Sequence, residues 1–376
     1  VIDDVVVGAG IVGLAHATAL AKRGRQVLVV ESSPRAEGAS IRNFGMVWPI
    51  GQPEGVLHQT AMTSRCIWEE LAHQSGIPLE PCGSLHLAYH EDELQVLTEY
   101  AASQLPSVRR VLAPAEVLLH APFAVENGLL GGLYSLTEAC VEPRTTLWEL
   151  PPFLSRSMGV EFRFCTTAWR WESGTLHTDT GTFSARRCWV CSGRDARALF
   201  PDALPHNQLM PCKLQMMRTA PMQQRIGPML AAGSTLRHYG CFARCPSLSA
   251  VRKRFAEEHP AFDRWGIHVM VSQHASGELT IGDSHEYGDA VSPFDRPEID
   301  ALILEYLRSF FNPPELQIAE RWHGIYLKHG ERPYVTAEPT DDCMVINALG
   351  GAGMTLSFGL AEAVVSRALG ENDAEL

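Results

Sequence analysis

Val5-Val6-Val7-Gly8-Ala9-Gly10-Ile11-Val12-Gly13, close to the start of the chain, sets the reading of everything after it. Three β-branched apolar residues in a row have the composition of a parallel strand buried on both faces. The glycines follow at once. Leu14 to Arg23 then carries helical spacing and stops at Gly24, a residue that ends helices in the left-handed conformation. Val27-Leu28-Val29-Val30 reads as a second buried strand, and Glu31 closes it 18 residues beyond Gly13. A tight turn at Gly8, Gly10 and Gly13 lets the backbone approach a pyrophosphate. The helix start at Ile11 and Val12 offers that anion N–H groups, and the acid accepts hydrogen bonds from a ribose. The unit is expected to hold a dinucleotide, and by itself it does not separate nicotinamide from flavin.

The chain has 376 residues, more than one ordinary core accommodates, so two closely packed domains are expected. Hydrophobic residues make up 45% and charged residues 20%, an ordinary globular balance. The net charge of -12 argues against nucleic acid or an anionic membrane surface as partner. It leaves an anionic small molecule open, because a local cluster of Arg, Lys and His overrides bulk charge within a pocket. No stretch approaches the roughly 20 apolar residues of a membrane span, and the run at Val5 ends in glycines rather than in a leader cleavage site. The 10 cysteines are scattered, the pattern of a reduced, cytoplasmic protein. Cys188 and Cys191 form a C-x-x-C in a segment that reads as a buried strand, which points them to opposite faces and makes a redox pair improbable. Cys241 and Cys245 find no second ligand pair of metal-site spacing, so no metal is expected.

Along the chain, Leu57 to Ser75 reads as an amphipathic helix and 83–89 as a strand. A helix is expected from Glu142 to about Met158, strands at 160–164, 168–172 and 176–179, and a buried strand at 188–191. Residues 211–282 are strand-rich with one helix near 248–259. Helix 297–311 follows, then strands near 320–326, 334–335 and 344–347. Gly350-Gly351-Ala352-Gly353-Met354 leads into a last helix, and the polar end 371–376 is expected to fray. A glycine turn followed by a helix thus occurs at both ends. The expected fold is α/β. A Rossmann-like domain is built from segments 1–80, 140–210 and 320–376, with an inserted α+β substrate domain, 81–139 and 211–319, around a mainly antiparallel sheet.

Four motifs taken together, 5–31, Gly38-Ala39-Ser40 with Asn43-Phe44-Gly45, Val190–Gly193 and Gly350–Thr355, resemble the D-amino-acid oxidase-like FAD superfamily, which includes glycine oxidase and sarcosine oxidase. The resemblance covers nearly the whole chain in order and implies FAD. It implies that the first turn and Glu31 with Ser32 bind the pyrophosphate and ribose, and that Ser40, Arg42, Asn43, Phe44, Gly45 and Met46 lie along the isoalloxazine. Backbone near Thr167 and Ala168 would touch adenine, with Ser192 and Gly193 beside it. Gly350, Gly351, Gly353, Met354 and Thr355 would face the pyrimidine edge, where N–H groups at a helix start favour negative charge. A closer similarity is to the branch of the family associated with phosphonate metabolism, carried by 40–52, Leu236-Arg237-His238-Tyr239 and 281–286.

Departures from the family pattern bear on the substrate. Glycine oxidase-like members hold a carboxylate with an arginine in W-x-G-x-R-P. The matching stretch here is Trp322-His323-Gly324-Ile325-Tyr326-Leu327, with Tyr326 where that arginine stands. A phenol donates one hydrogen bond and carries no charge, so a bidentate clamp is not expected there. Arg42, His238, His285, His323, Lys328, His329 and Arg332 are expected to cluster if their loops converge, which suits a phosphonate. The catalytic set expected is Arg42, His238, Tyr239, Tyr326 and Lys328. The resemblance implies oxidation of a C–N bond, with hydride passing to flavin N5 and hydrolysis of the imine. The substrate favoured is an aminophosphonate, such as 2-aminoethylphosphonate or its N-alkyl derivative. The alternatives are a small amino or imino acid, or a flavoprotein without catalysis. The second substrate is oxygen or another electron acceptor. Sarcosine oxidases attach flavin through a cysteine near position 326; none stands there, so FAD is expected to bind non-covalently. Lys213 is expected to decorate a strand joining the two domains.

Overall fold

The computed structural model describes residues 2–102, 108–195, 197–204 and 209–371. The polar segment 372–376, expected to fray, lies outside them.

Five parallel strands form the first layer, in the spatial order Glu161–Arg163, Val27–Val30, Ile2–Val7, Gly181–Val190 and Cys343–Asn347. Strand order reverses between Ile2–Val7 and Gly181–Val190, and the crevice beyond such a reversal is where open α/β sheets bind ligands. Val335–Thr340 adds an antiparallel edge, and the hairpin Ala168–Glu172 with Thr175–Thr178 extends from the first half of Gly181–Val190. The β-branched runs are explained by burial on both faces. Val6 and Val29 pack into a core with helices Ile11–Lys22, Pro143–Met158 and Gly353–Leu369, while Val5, Val7, Leu28 and Val30 pack on the other side with Trp171 and Leu176. Cys191 belongs to the first core and Cys188 to the second, as period-two geometry requires.

The second layer is a nine-stranded sheet, mostly antiparallel. It runs Glu286–Tyr287, Leu209–Thr219, Leu279–Gly282, Met270–Gln273, Met229–Ala231, Ser84–Ala88, Gly131–Ser135 and Arg109–Leu112. Ile318–His329 pairs antiparallel along the other side of Leu209–Thr219, with Tyr326 opposite Cys212. That strand is longer than the expected 320–326, and the expected boundary at 320 falls inside it, because its hydrogen bonds go to the second sheet. Met46–Val47, Leu79–Glu80 and Ala139–Val141 form a small sheet of their own. Helix Pro260–Trp265 and strand Arg109–Leu112 were not anticipated, being too short for their pattern to stand out.

Lys213 departs from expectation. It is fully buried, its Nζ donating to the Phe294 carbonyl at 2.6 Å and lying 3.0 Å from an Asp295 carboxylate oxygen. A lysine inside a strand that is covered on both faces needs such partners.

Candidate active site

A cleft of about 1050 Å³ opens at the strand-order reversal and runs between the two sheets. The first glycine turn forms one end. Gly8 has φ +106°, and a Cβ there would sit 2.6 Å from the Cys191 carbonyl oxygen. Gly10, Ile11 and Val12 line the cleft with it. No side chain caps helix Ile11–Lys22. The Ile11 N–H is taken by Ser40 Oγ at 3.0 Å and the Leu14 N–H by the Gly10 carbonyl at 2.9 Å. Of the remaining N–H groups at this helix start, that of Val12, a lining residue, has no backbone acceptor among the described residues. Gly13 itself lies outside the lining; it packs instead, since a Cβ there would meet the Gly8 carbonyl oxygen at 1.9 Å.

Glu31 and Ser32 stand at the end of Val27–Val30 and line the cleft. One carboxylate oxygen accepts from the Ala9 N–H at 2.8 Å and the other from the Ser33 N–H at 2.9 Å, so the acid also fixes the turn. Thr167 and Ala168 close that end beside Ser192 and Gly193. The Thr167 N–H is already taken by Asp179, at 2.8 Å. Ser192 Oγ is buried and has no hydrogen-bond partner among the described residues. An orphaned hydroxyl at the crevice, a backbone cradle at Gly8 and a free N–H group at a helix start fit the adenosine diphosphate half of a dinucleotide.

The loop after the second strand forms the long wall. Ser40, Arg42, Asn43, Phe44 and Met46 line it. Asn43 is a brace: its amide donates to the Ala39 and Ser40 carbonyls, at 3.1 and 2.8 Å, and its oxygen accepts from the Gly45 N–H at 2.8 Å. Gly45 does not line the cleft; at φ +73°, with the Val141 carbonyl oxygen 1.9 Å from any Cβ, it serves the turn. The opposing wall is the second glycine turn, where Gly350, Gly351, Gly353, Met354 and Thr355 all face the cleft. No side chain caps helix Gly353–Leu369. The Thr355 hydroxyl is committed to the loop, accepting from the Trp48 N–H at 3.0 Å. Converting Ser40 to alanine leaves the Ile11 N–H without its acceptor. It is expected to weaken flavin affinity by about 1 kcal/mol, roughly five- to tenfold, measured by quenching of flavin fluorescence on titration. Unchanged affinity would remove Ser40 from the turn's support.

Beyond the loop, the cleft is bounded by Trp48, Leu214, Met216 and Met270 and by a polar group from the second sheet. Tyr326 comes from Ile318–His329, and its hydroxyl lies 3.6 Å from where a Gly351 Cβ would stand. Burial pushes its phenol well above the ordinary range, and the neighbouring Cys212 and Asp283 push it further. Burial likewise raises Tyr239. Arg42 donates weakly to the His323 carbonyl at 3.4 Å. Lys328 is exposed at the rim, 3.5 Å from the Tyr287 hydroxyl. His323 pairs with Asp295 at 2.8 Å, and His329 Nδ1 accepts from the Glu331 and Arg332 N–H groups at 3.0 and 2.9 Å.

The expected cationic cluster therefore forms only in part. The groups that converge most tightly are imidazoles. His238 lies on His268 and His285 with ring centroids 3.8 and 4.5 Å apart, and His268 sits 3.0 Å from Asp283. Although His238 is exposed to the cleft, desolvation by the surrounding wall and the two neighbouring rings lower it well below the usual imidazole range. Burial also lowers His285, to about 4. Burial opposes ionisation of Asp283, yet the two imidazoles beside it hold its carboxyl below the ordinary value. His268 escaped the sequence reading, and Asp283 entered it only within the run 281–286, with no role of its own. Both sit in short alternating strands or their ends, where a buried polar residue looks like any inward-facing position.

The family model described as FAD dependent oxidoreductase matches residues 3–367. The chain is 33% identical over 115 residues to a D-amino-acid oxidase of Streptomyces coelicolor, which covers 30% of this chain and 34% of that protein. It is 23% identical over 372 residues to a tRNA 5-methylaminomethyl-2-thiouridine biosynthesis bifunctional protein of Nitrosospira multiformis, covering 92% of this chain and 57% of that one. The chain thus spans between a third and somewhat over half of the curated relatives it matches. A glycine oxidase structure from Bacillus cereus superposes with a TM-score of 0.79 at 17% identity, over 99% of this chain and 96% of that one, and so shares its fold. With the glycine turns, the acid and the loop all in place around one cleft, the chain belongs to the FAD dependent oxidoreductase family.

Proposed function

We propose that this chain oxidises a C–N bond in a small amine that carries an anionic group. The favoured substrate is an aminophosphonate, such as 2-aminoethylphosphonate or its N-alkyl derivative. The observation that carries this reading is Tyr326. It faces the Gly350–Gly351 turn with a neutral phenol, at the position where the family pattern described under Sequence analysis implies an arginine. The positive and imidazole groups lie instead at Arg42, Lys328 and His238, spread around the cleft rather than paired at one point. A dianion with three oxygens is matched better by several separated donors than by one fork.

FAD, when bound, supplies the hydride acceptor. The protein's own residues do the rest. Trp48, Leu214, Met216 and Met270 keep water from the reacting carbon. The Tyr326 and Tyr239 hydroxyls, held protonated by burial, hydrogen-bond the amine and orient its α-C–H. Arg42 holds the anionic end. Oxygen or another electron acceptor would be the second substrate.

The test is anaerobic bleaching of the purified flavoprotein by aminoalkylphosphonates and by glycine, sarcosine, iminodiacetate and D-amino acids. Faster bleaching by the phosphonates is expected. Faster bleaching by the amino acids would favour the second reading, a small amino or imino acid, which the D-amino-acid oxidase relative supports. A cofactor that no amine bleaches would point to a flavoprotein without this chemistry. Arg42→Ala is expected to lose one charge-assisted bond, about 1.5–3 kcal/mol, read as roughly a ten- to hundredfold fall in kcat/KM. Unchanged turnover removes Arg42 from this account.

A further inference from the structure

Three histidines from three separate segments meet at the substrate end of the cleft. One nitrogen each from His238, His268 and His285 lies within 4.8 Å of the others. His238 follows the short helix Gly233–Leu236, His268 precedes strand Met270–Gln273, and His285 lies between Leu279–Gly282 and Glu286–Tyr287. His268 and His285 are buried, at 3% and 6% exposure, whereas His238 is open to the cleft.

The hydrogen-bonding of the two buried rings is divided in a particular way. His285 Nδ1 lies 3.0 Å from the Gly266 carbonyl and so carries the proton, which leaves Nε2 with its lone pair free. His268 Nε2 lies 3.0 Å from the Asp283 carboxylate, while its Nδ1 is buried without any partner among the described residues. One nitrogen held by a carbonyl or carboxylate and the other presenting a lone pair is the arrangement that orients an imidazole toward a metal ion. An unpartnered buried nitrogen is otherwise a cost with no return.

Charge points the same way. Asp283 is 5% exposed, and its ion-pair partners among the described residues are His268 and His285, with no Lys or Arg. The groups facing it from the other elements are Tyr239, Tyr326 and the Cys212 thiol, which carry no positive charge, while the Lys328 ammonium acts on His238, His285 and Cys212 from the exposed rim. The buried carboxylate thus has imidazoles, and no ammonium or guanidinium, in ion-pair contact among the described residues.

We propose that His238, His268 and His285 bind a divalent first-row transition-metal cation, with Asp283 behind them as the orienting carboxylate. Three imidazoles and no thiolate suit zinc, cobalt or nickel, and three protein ligands leave a coordination position open to the cleft. On the reading given under Proposed function, that position receives an oxygen of the substrate's anionic group. The metal site stands on the imidazole geometry alone.

The experiment uses the full flavin-loaded chain, freed of metal by a chelator and titrated with Co²⁺. One equivalent per chain is expected, with ligand-field absorption at wavelengths beyond the flavin bands. His238→Ala removes the cleft-facing ligand without opening the core. It is expected to weaken Co²⁺ by at least about 100-fold, the upper end of what loss of an orienting partner costs, while its flavin content stays that of the parent. His323→Ala alters an imidazole on the other wall and is expected to leave Co²⁺ affinity unchanged. Absence of the absorption, or equal affinity in parent and His238→Ala, overturns the site. Adding 2-aminoethylphosphonate or inorganic phosphate to the Co²⁺ form separates the two proposals. A shifted spectrum supports an oxyanion on the open position, and an unshifted one leaves the metal site standing and counts against the substrate reading.

Discussion

Alanine at Gly13 is expected to yield protein that binds no flavin and unfolds at a markedly lower temperature. The added Cβ would stand 1.9 Å from the Gly8 carbonyl oxygen and 3.0 Å from its carbon. Both are backbone atoms of the turn, so no rotamer change relieves the overlap. Helix Ile11–Lys22 must back away from the end of Ile2–Val7, taking with it the helix-start residues Ile11 and Val12 that line the cleft. Forced overpacking of this kind costs about 1–3 kcal/mol and sometimes more. Here the upper end is expected, because Val6 stands 3.4 Å away on the third side. Flavin content after purification and the thermal midpoint are the two measurements. A yellow Gly13→Ala protein with the parent's midpoint would show that the helix start is not held against the turn as described.

Arg218→Met is expected to destabilise the chain by about 2–4 kcal/mol, somewhat below the cost of breaking a fully buried pair because this one is partly solvated. Arg218, on Leu209–Thr219, donates to Glu142, the N-cap of helix Pro143–Met158, so the pair ties the nine-stranded sheet to the layer that carries the glycine turns. The side chains are 11% and 14% exposed. The second Glu142 oxygen accepts from the Thr145 N–H at 2.6 Å. Burial acts to raise the Glu142 pKa, but the Thr145 N–H and the guanidinium outweigh it and the folded-state value is lowered. A lowered carboxyl pKa adds stability that is fully present above the unfolded value and is lost as pH falls through the folded one. The gap between parent and Arg218→Met should therefore be widest near neutrality and close in acid. Urea unfolding across that range checks it, and a gap independent of pH would assign the loss to packing of the arginine stem instead.

The dinucleotide unit was legible because everything it needs is local. The strand Ile2–Val7, the turn, the helix and Glu31 depend on β-branched composition, on glycine's access to positive φ, and on hydrogen bonds within one short stretch. The second turn at Gly350 and the loop at Ser40–Gly45 were legible for the same reason, and the cleft does bring both to the first. Two of the glycines were placed in the lining where they serve packing. Whether a missing Cβ makes room for a ligand or for the protein's own backbone depends on what lies opposite, and no motif records that.

The substrate end was legible only as single residues. Tyr326 could be matched to a missing arginine, but its place opposite Cys212 follows from the register of Ile318–His329 along Leu209–Thr219, a pairing between segments about a hundred residues apart. Lys213 was expected only to decorate its strand; burial of that side chain brings its ammonium against the Phe294 carbonyl and Asp295, from a segment about eighty residues away. His268 had no sequence signal and Asp283 stood in the run 281–286 without a role, since alternation in a short strand says which face a side chain takes and nothing of what meets it there. The sequence by itself determined an α/β chain of the FAD dependent oxidoreductase family with a strand, glycine turn and helix at Val5–Glu31, because local backbone chemistry is written in neighbouring residues. Only the tertiary structure decided that His238, His268 and His285 meet in one cleft around Asp283, because that convergence is set by long-range strand pairing and burial.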